Sequence, residues 1–247
     1  ELKLLPSQAV ALHEECEDNR FSRLVERFND EHVLYNPLIV ANYNGNYILI
    51  DGANRFEALK QIGCKAILAQ LVDYASGDVV LKSWFHFVSY MTVAEIRAFA
   101  AGNNLGIEVI PAFRKPLNKN ELIVNSTSGE IISLTLSNNL ENMLAELSAL
   151  NRFYDEKYSY TRIDSDTDIS SIRELSPDEG LLFVFPEFSK DDIVKISGLK
   201  QKLPAGISRH LIPNRVLHIK ILIDALKTDE NISKRNEELQ KHIQHII

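Results

Sequence analysis

Ile48-Leu-Ile-Asp51-Gly52-Ala53-Asn54-Arg55-Phe-Glu-Ala-Leu-Lys-Gln-Ile-Gly63 places a strand, a sharp turn and a helix within sixteen residues. Tyr47 to Ile50 is a β-branched and aromatic run that reads as a buried strand, and Gly52 permits a tight turn at its end. Ala58, Leu59 and Ile62 then recur at helical spacing, and Gly63 supplies a left-handed stop. The first amides of such a helix lack partners and its dipole is positive there, which suits a phosphate group. Asp51 is a candidate metal ligand and Arg55 a candidate oxyanion ligand. The same strand-Asp-Gly-helix pattern also serves as plain architecture, so on its own it leaves both readings open.

Upstream, Leu2 to Leu5 reads as a strand ended by Pro6. The acidic run Leu12-His13-Glu14-Glu15-Cys16-Glu17-Asp18-Asn19-Arg20 precedes a predicted helix from about Asn19 to Asn29. These carboxylates either favour the helix N-terminus or supply a catalytic acid or base. Asn36-Pro37 leads into a strand from Leu38 to Tyr43, and Asn44-Gly45 is a strong hairpin signal that returns the chain into the strand ending at Asp51.

Downstream, Ala66 to Val72 reads as a strand, and Val79 to Phe87 holds Trp84 beside His86, a core tryptophan or a site residue. Thr92-Val-Ala-Glu95 is a capping box that opens a helix through about Ala101, with Gly102 as its stop. Leu105 to Pro111 resembles a strand. Arg114 to Asn120 is polar and irregular, and the domain boundary is placed there.

In the second half, Leu122 to Asn125 and Ile131 to Leu136 form a predicted hairpin around Thr127-Ser128-Gly129. Leu140 to Tyr158 carries Met143, Leu144, Leu147 and Leu150 at helical spacing. Asp164, Asp166 and Asp168 lack the glycine and closing glutamate of a calcium loop and read as a solvated loop. Leu181 to Phe185 is a strand, and Ser189 to Asp192 caps a helix over Ile193 to Ile196. Leu203 to Pro213 presents Ser208, Arg209 and His210 consecutively, as a ligand loop or as an ion pair beside a bystander imidazole. Arg215 to Ile221 alternates like a strand, and Asn231 to Ile247 is an amphipathic helix.

With 247 residues, the chain suffices for one large or two small domains, and two is our reading. Apolar content of 45% and charged content of 25% are those of an ordinary globular protein. No apolar run approaches the roughly 18 residues needed to span a bilayer, and the start lacks a signal-peptide pattern. Cys16 and Cys64 form no metal motif, which fits a reducing, cytoplasmic compartment. The net charge of −7 opposes nucleic-acid binding by phosphate neutralisation.

The order His13-Glu14, Asn36-Pro37, Ile50-Asp51-Gly52-Xaa-Xaa-Arg55, Leu71-Val-Asp-Tyr74, Trp84 and Ser208-Arg209-His210-Leu-Ile-Pro213 resembles the free L-serine kinases. That family includes an archaeal free serine kinase and the serine kinase encoded with staphyloferrin B biosynthesis. The resemblance spans nearly the whole chain and implies an α+β fold. A ParB/sulfiredoxin-like nucleotide-binding domain would cover 1–113, and a smaller α/β domain over 114–247 would close a site in the cleft between them. It further implies a cytoplasmic enzyme that moves a phosphoryl group from ATP or ADP to free L-serine with Mg²⁺. The product, O-phospho-L-serine, would feed amino-acid or siderophore precursor biosynthesis.

Under this resemblance Glu14 is the base for the serine hydroxyl and Asp51 the second catalytic residue and magnesium ligand. Gly52, Ala53, Asn54 and Arg55 face the nucleotide phosphates. Trp84, Ser208, Arg209 and His210 hold the amino acid, with Arg209 suited to its carboxylate by paired donors in a fixed plane. The family carries histidine where this chain has Asn54, which donates a hydrogen bond but cannot become cationic. That departure favours the alternative of a nucleotide-responsive ParB-like regulator or DNA-binding protein without kinase activity. The acidic charge and the lack of a recognisable helix-turn-helix speak against DNA. A kinase for another small hydroxyl compound would keep Glu14 and Asp51 in a differently shaped pocket.

Overall fold

Asn44 and Gly45 both take positive φ, 52° and 82°, as the tightest hairpin turn requires. In the computed structural model, which describes residues 1–167, 178–228 and 231–244, this hairpin sits in the middle of the first of two units. That unit comprises Glu1–Val80, Ile193–Gly198 and His210–Ile247; the second comprises Leu81–Asp192 and Leu199–Arg209.

The first unit opens with β1 (Leu2–Pro6), β2 (Val10–Leu12), α1 (Asp18–Glu31), β3 (Val33–Leu34), β4 (Leu38–Tyr43), β5 (Asn46–Asp51), α2 (Ala53–Gln61) and β6 (Ala66–Asp73). Its five-stranded sheet runs β1-β6-β4-β5-β2. β2 lies parallel to β5, with Leu12 opposite Leu49. The three-residue β2 has too few residues to show a period, so it escaped the sequence reading. Leu38, Val40, Leu49, Phe56, Leu59 and Leu68 build one continuous core under the sheet.

The second unit contains β7 (Val80–Ser89), α3 (Val93–Gly102), β8 (Gly106–Val109), β9 (Glu121–Ser126), β10 (Ile131–Thr135), α4 (Leu140–Asp155), β11 (Tyr160–Asp164), β12 (Gly180–Val184) and the start of α5 (Lys190–Gly198). Its sheet runs β11-β7-β12-β9-β10-β8 with antiparallel neighbours, and β13 (Ser208–Leu211) also pairs with β7. Phe85, Phe87, Ile123, Leu182 and Val184 share a core on this sheet. The Thr92–Glu95 capping box forms in full, and Gly102 is the last helical residue rather than a left-handed stop. The residues around 113 and 114 lie within this unit, where Arg114 makes a bidentate pair with Glu121 at 2.7 and 2.5 Å.

The chain then returns to the first unit as β14 (Ile221–Leu222), α6 (Ile223–Lys227) and α7 (Ile232–Gln244). β14 pairs with β3, and Ile223 and Leu226 enter the first core. The strand expected over Arg215 to Ile221 shrinks to these last residues. Asn214 and His218 adopt positive φ, and the amides of Val216 and His218 donate to the side chains of Gln70 and Asn36 rather than to a ladder. The segment from Leu203 to Pro213, read as turns, includes the extended β13. Asp168 and the helix end beyond residue 244 lie outside the described residues.

Candidate active site

The parallel register of β2 and β5 sets the site. The pairing ends at Leu12–Leu49, and Glu14 and Asp51 each lie two residues beyond it in sequence. His13, buried and next to Glu14 in sequence, donates from Nδ1 to the Leu49 carbonyl at 2.7 Å and so ties the segment after β2 to β5. Its ring meets the edge of His210 with centroids 5.3 Å apart, and His210 Nε2 lies 2.8 Å from the Tyr74 hydroxyl. Burial pushes the Tyr74 phenol well up, so it keeps its proton.

Asp51 passes directly into α2 through Gly52, at φ 106°. A Cβ there would also come within 2.9 Å of Arg55 Nη2, so glycine is required twice over. The N-cap residue Gly52 has no side chain with which to cap α2, and the amides of the first turn have no acceptor within the helix.

Arg55 is engaged within the protein. Nη1 donates to the carbonyls of Asn36 and Pro37, both at 3.0 Å, and Nη2 donates to Asp51 Oδ2 at 2.7 Å. Burial lowers its pKa, opposed by the Asp51 charge. Asn54 also has a structural bond, its side-chain carbonyl accepting the Glu17 amide at 2.8 Å. Its Nδ2 remains the group able to face a phosphate.

Sequence reasoning missed Arg215, whose Nη2 donates to the same Asp51 oxygen at 2.7 Å across 164 residues. No local pattern marks it. Missed too was Gln70, which brackets Arg215 by donating to the Asn214 carbonyl at 2.9 Å and accepting the Val216 amide at 2.8 Å.

The first unit therefore gathers Glu14, Asp51, Gly52, Ala53, Asn54, Arg55 and His210, whereas Trp84, Ser208 and Arg209 belong to the second. There, Arg209 pairs with Asp164 and stacks over the Trp84 indole at 4.2 Å. Trp84 is half-buried and Ser208 buried. His86 is fully buried, with Nε2 donating to the Gly206 carbonyl at 2.9 Å and Nδ1 2.5 Å from the Tyr154 hydroxyl. Burial pushes its pKa down to about 3, which makes it a neutral core histidine.

Among the described residues no cluster of three or more His, Cys, Asp or Glu could hold a metal by itself. Asp51 Oδ2 is already shared by two guanidinium groups. A magnesium ion at Asp51 would therefore draw most of its ligands from phosphate oxygens and water, a coordination that suits Mg²⁺.

No family model matches the chain. It is 26% identical over 222 residues to an ATP-dependent L-serine kinase of Staphylothermus marinus, covering 85% of this chain and 83% of that protein. The chain is a relative of the free L-serine kinases. The solved structure of C-terminally truncated SbnI from Staphylococcus aureus superposes with a TM-score of 0.79 at 21% identity, covering all of this chain and 97% of the other. A free serine kinase in complex with AMP gives 0.77 at 15% identity, over 91% of this chain and 93% of that one. The α+β fold is thus one that solved serine kinase structures share. Among the described residues no helix is long and apolar enough to cross a membrane.

Proposed function

We propose that this chain is a kinase that transfers the terminal phosphoryl group of ATP or ADP to the hydroxyl of free L-serine. The observation that carries this reading is the junction at which β5 delivers Asp51 through Gly52 into the start of α2. The near full-length likeness to an ATP-dependent L-serine kinase supports it. Glu14 accepts the serine hydroxyl proton as the oxygen attacks phosphorus. The first-turn amides after Gly52 and the Asn54 Nδ2 stabilise charge on the phosphate oxygens. Mg²⁺, entering with the nucleotide and held by Asp51, would neutralise further phosphate charge.

The amino acid is assigned to Trp84, Ser208, Arg209 and His210, with Arg209 binding its carboxylate. For this Arg209 exchanges Asp164 for the substrate carboxylate, and the partly exposed Asp164 is left to solvent. The O-phospho-L-serine formed would supply amino-acid or siderophore precursors, and the two unbridged cysteines fit a cytoplasmic setting.

The test is phosphorus NMR of the protein with magnesium, L-serine and either ATP or ADP. A phosphoserine resonance is expected with at least one donor. Nucleotide binding without that resonance would replace the kinase with a non-catalytic nucleotide sensor.

A further inference from the structure

Two guanidinium groups meet on Asp51 Oδ2, but they are not equivalent. Arg55 is bound on both nitrogens of its fork, to Asn36, Pro37 and Asp51, and its side chain is 20% exposed. Arg215 makes its one hydrogen-bonded contact among the described residues with Asp51 and is 39% exposed. The backbone beneath Arg215 is nevertheless fixed. Gln70, buried on β6, holds the residues on both sides of it, and Asn36 Oδ1 accepts the His218 amide at 2.9 Å. The backbone on both sides of this partly exposed arginine is thus anchored, and its guanidinium meets Asp51, the residue before Gly52 and α2. Two guanidinium groups share one carboxylate.

We propose that Arg215, rather than Arg55, grips the nucleotide's phosphate chain, with Asp51 as its resting counter-ion. The inference rests on the nucleotide-dependent kinase reading and assigns that site a ligand which the motif does not contain. A polyphosphate offers Arg215 several charged oxygens in place of one shared carboxylate oxygen, and bidentate guanidinium–phosphate geometry is the stronger pairing. The exchange leaves Asp51 paired, because Arg55 remains on it. Arg55 cannot make the same move without stripping the Asn36 and Pro37 carbonyls of their donor.

The experiment is a calorimetric titration of the full chain with inorganic tripolyphosphate, free of divalent cations, for wild type, Arg215→Gln, Arg215→Lys and Arg55→Gln. Arg215→Gln is expected to weaken binding by about tenfold or more, and Arg215→Lys to recover part of that loss. Arg55→Gln is expected chiefly to lower the melting temperature. Tripolyphosphate affinity within about twofold of wild type in Arg215→Gln, or no binding by the wild type, overturns the proposal. Should Arg215→Gln fail to fold, the Arg215→Lys titration decides by the same criterion: weakened binding supports the proposal and wild-type affinity overturns it. Phosphoserine formation by the wild type is scored separately. Its absence together with Arg215-dependent anion binding would remove the kinase reading and keep the anion site.

Discussion

The side-chain carbonyl of Asn54 accepts the backbone amide of Glu17 at 2.8 Å, tying the first turn of α2 to the loop that carries Glu14. Asn54 is therefore a clasp between the start of α2 and the loop of the proposed base.

Asn54→Ala should loosen that loop without dismantling the start of α2. Loss of one such bond is worth about 1 kcal/mol. We expect turnover to fall about tenfold with nucleotide affinity changed less than threefold. Steady-state kinetics alongside equilibrium nucleotide binding would check it, and a loss confined to nucleotide binding would make Asn54 a phosphate ligand instead.

Glu14→Gln removes the proton acceptor but keeps the shape. The expected outcome is a drop of about two to four orders of magnitude in phosphoserine formation with nucleotide binding intact. Near-normal turnover in this variant would reassign the base.

Gly52→Ala should cost about 1–3 kcal/mol of stability, since alanine is strained at φ 106° and its Cβ would press on Arg55. Urea unfolding measures this directly. An unchanged midpoint would show that the Asp51–Arg55 turn relaxes freely.

Arg209→Ala should raise the serine KM through loss of the carboxylate's partner. Lysine at this position should rescue little, because an ammonium cannot reproduce the planar stack on Trp84. Unchanged KM and turnover in both variants would leave Arg209 as the structural partner of Asp164.

Acid should weaken the second unit through His86. Its folded pKa of about 3 lies below the ordinary 6.5, so the unfolded chain binds the extra proton between those values. The stabilisation is complete above about pH 6.5 and declines as pH falls toward 3. Melting temperatures at pH 7 and pH 5 should drop further for wild type than for His86→Gln. Equal drops would contradict the assignment.

What the sequence disclosed follows from the range of each signal. Local chemistry placed the Asn44-Gly45 turn, the strand-to-helix passage at Asp51-Gly52 and the Thr92–Glu95 cap, since each is decided within about four residues. Motif order supplied Glu14 and Asp51, while the parallel pairing of β2 with β5 went unread because β2 is too short to show a period. Arg215 was invisible because its partner lies 164 positions away. The carbonyls of Asn36 and Pro37 that engage Arg55 likewise announce nothing in the sequence.

The last helix offers a different kind of consequence. Asn236 on α7 donates to the Leu4 carbonyl and accepts the Leu4 amide, and Gln240 donates to the Leu2 carbonyl, so the outer edge of β1 is sealed by residues made 232 or more positions later. On the ribosome the inserted unit over Leu81–Asp192 emerges before its host can be completed. β1 must wait through most of translation with a bare sheet edge, the kind of surface that nascent-chain chaperones shield.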